Sequence, residues 1–145
     1  MAPLVRLLGS EDEAALITID RDYAEALAVE PVIVPGCLSF FVRTGHAFVA
    51  EVSGTVIGFA LAQVVWDGSR PTLQVRRMVA TGGKSKILEA LLAAITRSAY
   101  DSGVYDIELS VIGGDTAAEA ALLATGFRRR PVVAYGRVLG SRGEG

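Results

Sequence analysis

At 145 residues and 51% apolar content, with a mean hydropathy of +0.42 and a formal charge of −2, the chain has the length of one domain burying about two-thirds of its unfolded surface. The charge leaves no basic footprint for nucleic acid, no apolar run approaches the roughly 20 residues of a membrane span, and the single cysteine, Cys37, excludes an intrachain disulfide or a cysteine metal cluster. The start Met1-Ala2-Pro3-Leu4 has none of the features of a secretory leader, so the expected compartment is the cytoplasm, and the apolar surplus points to a homodimer or a lined pocket.

Residues 4–8 read as a short opening strand. Ser10 followed by Glu13 forms a capping box, which predicts a helix from 11 to about 27 with the stripe Leu16, Ile19, Tyr23 and Leu27; Asp20, Arg21 and Asp22 fall among its polar residues. Pro31 and Pro35 bracket an extended linker, and a short helix over 36–44 ends at a Gly45 cap. Residues 46–52 and 55–66, joined by Ser53-Gly54, predict a β-hairpin; a third strand follows over 72–80.

The stretch from Arg76 to Leu92 draws the most attention. A strand enters a Gly82-Gly83 turn that opens directly onto the longest amphipathic helix, 85–100, whose stripe is Ile87, Leu88, Leu91, Leu92, Ile95 and Ala99. Lys84 and Lys86 sit in its first turn, where they oppose the positive end of the helix dipole unless an anion docks on the free N–H groups. A strand over 104–112 returns parallel through a right-handed crossover. Thr116 with Glu119 predicts a capping box for an Ala-rich helix ending at Gly126, and 127–139 gives one or two closing strands. Residues 1–140 are thus expected to form a single α/β (α+β) domain, with 141–145 a disordered tail.

The order β-α-α-β-β-β-α-β-α-β(β) resembles the GNAT superfamily of N-acetyltransferases. Residues 48–60 look like its central hairpin; residues 107–111, Asp115, Ala118 and the Gly126-Phe127 pair look like its second block. The resemblance, which extends to a small uncharacterised bacterial subgroup, implies a mixed, mainly antiparallel sheet with helices on both faces. It also implies acetyl-CoA as cofactor, an unidentified small-molecule or protein amine as acceptor, and no metal. By the same resemblance the cofactor contacts fall on Met78 and Val79, through their backbone, and on Gly82, Gly83, Lys84, Ser85 and Lys86. The chain departs from the family at Lys86 and Leu88, where the phosphate loop has glycines, and at Leu122, where a tyrosine often protonates the leaving thiolate. Asp115 replaces the family's Asn.

Glu51 and Glu108 are candidate general bases, each balanced against a solvated carboxylate, and Tyr135 is the candidate acid in place of Leu122. His46, the one histidine, leaves little material for triad or metal chemistry, and Arg128-Arg129-Arg130 alternate faces on a strand and form no single patch. The expected function is acetyl transfer to an amine. The alternative is a non-catalytic module of the same fold that binds acyl-CoA or another anion, or acts only by dimerising.

Overall fold

The computed structural model describes residues 2–66 and 68–140. Five strands, β1 (Leu4–Leu7), β2 (Phe48–Val52), β3 (Thr55–Trp66), β4 (Pro71–Ala80) and β5 (Ile107–Leu109), form one sheet in the order β1-β2-β3-β4-β5. Every pairing is antiparallel except β4 with β5, which is parallel. Helices α1 (Glu13–Leu27) and α2 (Leu38–Thr44) lie on one face, and α3 (Ser85–Asp101) and α4 (Thr116–Ala124) on the other. The mixed, mainly antiparallel sheet with helices on both faces is the expected architecture.

Strand alternation sorts the two cores. Phe59 and Leu61 of β3 join Leu16, Leu38 and Val49 under α1 and α2; Ala60 and Ala62 join Leu88, Leu91, Leu92 and Ile95 under α3. Small residues on the α3 face let that helix approach closely. A Cβ built on Gly58 would meet Val79 O at 2.8 Å and Ile87 Cγ2 at 3.0 Å, so β3 has no room for a side chain there. The buried residues of α3 are the six of the predicted stripe.

Several expectations need correction. Helix α1 starts at Glu13, after a 3-10 turn over Ser10–Asp12, and it is Asp12 that receives the Gly9 N–H at 2.9 Å. The buried row of α1 is Leu16, Asp20 and Ala24, so Asp20 faces inward and not to solvent. Helix α4 is capped by Asp115, whose Oδ1 accepts the Ala118 N–H at 3.0 Å, and not by Thr116. Strand β5 keeps only three of the nine expected residues. The closing strands over 127–139 do not form: those residues carry neither helix nor strand. The tail 141–145 lies outside the described residues.

Candidate functional site

A bulge in β4 organises the site. The register with β3 runs Leu61↔Arg77 and then Ala62↔Val75, so Arg76 is an extra residue on the β4 side. One inserted residue reverses the alternation. Leu73 and Val75 face α3 before it, Met78 and Ala80 face α3 after it, and Arg77 is turned towards α1. There the Arg77 guanidinium donates to Asp20 Oδ1 at 2.6 Å and to Glu30 O at 3.3 Å. Asp20 is fully buried, and its Oδ2 accepts the N–H groups of Val32 at 2.7 Å and Ile33 at 3.0 Å. The pair thus fastens the linker and α1 to the bulge.

Beyond the bulge the sheet opens. β4 and β5 are paired only at Leu73–Val75 with Ile107–Leu109, while β4 continues to Ala80. Among the described residues the side of β4 facing β5 therefore has no strand partner over 76–80, which leaves a gap in the ladder opposite the chain over 110–115. Tyr23 spans this gap. Its ring lies 5.2 Å from the Arg77 guanidinium carbon, and its hydroxyl donates to Asp115 Oδ2 at 2.5 Å. Tyr23 packs with the α1 core and Asp115 caps α4 on the opposite face, so this one hydrogen bond joins the two helical layers through the opening. Desolvation, then the Asp115 carboxylate, raise the Tyr23 pKa well above that of an ordinary phenol, so it stays protonated at neutral pH.

The Gly-Gly turn closes the end of the gap nearest α3. Gly82 and Gly83 have φ of 71° and 64°, a conformation that favours glycine, and a Cβ on Gly83 would stand 3.3 Å from Ala117 Cβ of α4. Thr81 through Lys86 are all exposed. The N–H groups of Ile87 and Leu88 turn back to Lys84 O, which leaves those of Ser85 and Lys86 at the open end of α3. Leu88 is buried in the core beneath α3, so its side chain points away from this exposed turn.

The predicted cofactor residues are thus contiguous: Met78 and Val79, with buried side chains, lead into the exposed turn of Gly82, Gly83, Lys84, Ser85 and Lys86. The predicted catalytic residues are not brought together. Glu51 lies on β2, two strands from β4, with its Oε2 3.1 Å from Arg6 Nε. Glu108 lies on β5 with its Oε2 3.4 Å from Arg130 Nη1. Tyr135 is 95% exposed on the C-terminal segment. Tyr23, Arg77 and Asp20 were not expected as site residues; the signals available were an aromatic with a hydroxyl within the α1 stripe, an acid beside it, and an Arg pair inside an apolar strand. His46 is buried with Nδ1 2.7 Å from Ser98 Oγ of α3, away from the gap. Among the described residues no group of three or more His, Cys, Asp or Glu side chains is placed to hold a metal ion, and no helix is long and apolar enough to cross a membrane.

A bulged β4, splayed from its parallel neighbour and leading through a glycine turn to an open helix N-terminus, defines the class: the chain has the fold of the GNAT acetyltransferases. Over 95% of this chain and 97% of the other it is similar to an aminoglycoside acetyltransferase from an uncultured soil metagenomic sample, with a TM-score of 0.75 at 15% identity. It is also similar to a predicted acetyltransferase from Clostridium acetobutylicum, determined with acetyl-CoA, with a TM-score of 0.71 at 12% identity over 93% and 96% of the two chains. More particularly, the chain belongs to the DUF1999 family of proteins of unknown function, whose model matches residues 32–144. A solved relative, TTHA1254 of Thermus thermophilus in its wild-type form, is 38% identical over 96% of this chain and 99% of the other, with a TM-score of 0.80. No curated protein matches the chain.

Proposed function

We propose that this chain is an acetyl-CoA-dependent N-acetyltransferase whose transfer site is the gap between β4 and β5. The observation that carries the reading is the free edge of β4 past the bulge at Arg76, a row of backbone groups that a ligand's amides can pair with as a further strand does. The pyrophosphate of the cofactor is assigned to the N–H groups of Ser85 and Lys86, with the side chains of Lys84 and Lys86 adding positive charge. Lys86 is exposed and Leu88 points into the core, so the loss of the family's two glycines leaves the outer surface of the turn open. The neighbour determined with acetyl-CoA supports this choice of cofactor.

Acetyl-CoA supplies an acetyl group activated as a thioester. In our reading Tyr23 replaces the tyrosine missing at Leu122. With acetyl-CoA bound, rotation about the Tyr23 C–O bond would turn the proton from Asp115 towards the thioester sulfur, where a phenol kept protonated would offer a hydrogen bond to the departing thiolate. With Glu51 two strands away and Glu108 held by Arg130, the amine's proton passes to water. A second reading, a module that binds acyl-CoA or another anion without transfer, draws on Leu122, which is buried where the family's tyrosine stands.

Release of free thiol from acetyl-CoA across a panel of primary amines separates the two. The transferase reading expects release with at least one amine and a loss of about 100-fold in Tyr23→Phe. Binding of acetyl-CoA with no release across the panel favours the module instead.

A further inference from the structure

Lysine is confined to one place in this chain. All but two of the 14 basic residues are arginine, and the two lysines, Lys84 and Lys86, both stand where the glycine turn opens onto α3. In every ion pair among the described residues the cation is an arginine, and neither lysine takes part in one. Both lysines are exposed, and the turn leaves space around them: a Cβ on Gly82 would meet nothing within 4 Å. Within the fold their charges stabilise nothing. A cation in the first turn of a helix opposes the macrodipole, and α3 has no acidic residue there to offset it. Nor does holding a phosphate require lysine. Arginine grips a phosphate at two points with a planar fork and stays charged, whereas lysine offers a point charge on a primary amine that can be acylated. A chain that uses arginine for its other cations thus places at this turn the one kind of cation whose charge a covalent step can remove.

We propose that Lys84 and Lys86 are an acylation site that switches this turn off as an anion site, with a small acyl phosphate as the donor. The effect on the cofactor rests on the assignment of its pyrophosphate to this turn; the modification itself does not. Charge and size select the donor. An acyl phosphate is an anion that carries its reactive carbonyl directly on the phosphate, so the cations that attract the phosphate have the carbonyl beside them. A CoA thioester held by its pyrophosphate carries its acyl group at the far end of the pantetheine arm, away from the lysines. In the step, an ε-amine that has given its ammonium proton to water attacks the carbonyl. The C–N bond forms, the C–O bond to phosphate breaks, and inorganic phosphate leaves with one of the amine's two protons. Each transfer converts an ammonium into a neutral amide, so two transfers remove both positive charges from the turn. The acetylated turn no longer opposes the α3 dipole, so the anion site is lost without cost to the helix.

The full chain, treated with acetyl phosphate, with acetyl-CoA or with neither, tests this by peptide mass and by the shift in melting temperature that CoA induces. Acetyl phosphate is expected to modify both lysines faster than acetyl-CoA does, and saturating CoA to protect them. The doubly acetylated chain should bind CoA about tenfold or more weakly, as loss of charge-assisted hydrogen bonds implies, with unchanged helical circular dichroism. Lys84→Arg with Lys86→Arg keeps the charges without the amines, so its CoA shift should be the same before and after treatment. Lysines that stay unmodified, that CoA fails to protect, or that acetyl-CoA modifies faster overturn the proposal. So does a CoA shift that survives double acetylation, while the cofactor reading stands. No CoA shift in the untreated chain overturns both.

Discussion

Asp20 illustrates how much one side chain carries here. Its two oxygens hold the guanidinium of Arg77 and the N–H groups of Val32 and Ile33, with no exposure to solvent. A charge so buried is tolerable only when every lone pair has a donor, and removing one partner of such a pair costs about 3–5 kcal/mol. Asp20→Ala is therefore expected to lower unfolding stability in urea by about that amount, because Arg77 is left charged and buried; a loss below about 1 kcal/mol would contradict this role. Nothing local in the sequence reveals the pair. Asp20 sits among Arg21 and Asp22 like a solvated helix residue, and its partner lies 57 positions away on a strand whose bulge alone aims it inward. Tyr23 is legible as an apolar stripe residue, but its hydroxyl acquires a role only because Asp115 is brought to it across the gap.

At the scale of elements, His46 shows how a strand start and a helix depend on each other. It precedes β2, is buried, and meets Ser98 of α3 at 2.7 Å; desolvation pushes its pKa below the ordinary value of 6.5. Well above pH 6.5 the ring is neutral folded or unfolded, and the stability it confers is intact. As pH falls below 6.5 the unfolded chain takes the proton first, so stability declines towards the lower folded pKa. Urea midpoints measured from pH 7.5 to 5.5 should fall more steeply for the wild type than for His46→Gln; parallel curves would contradict the assignment. The elements with their own periodicity are the legible ones. The α3 stripe, the β2–β3 hairpin and the Gly45 cap depend on spacing that a short window contains. β5 and the closing segment do not. The length of β5 is set by where β4 bulges away, and residues 127–139 have strand composition but find no ladder among the described residues.

On the whole molecule, the two helical layers are joined through an opening in the sheet, and the exposed turn from Gly82 to Lys86 stands at its end. The location of that turn can be read from the sequence, since strand, glycine pair and amphipathic helix follow one another directly. The opening beside it cannot, because it requires a bulge and the divergence of two strands distant in sequence. Under the proposed function this turn and the free edge of β4 hold acetyl-CoA. Thermal unfolding with and without ligand tests it most directly: acetyl-CoA at about 100 times its Kd should add about 2.7 kcal/mol of stability. We expect a clear rise in melting temperature with acetyl-CoA and CoA, abolished by Lys84→Glu together with Lys86→Glu. No shift with any CoA species would contradict the account, and a shift unchanged in the doubly substituted chain would show that the anion is held elsewhere.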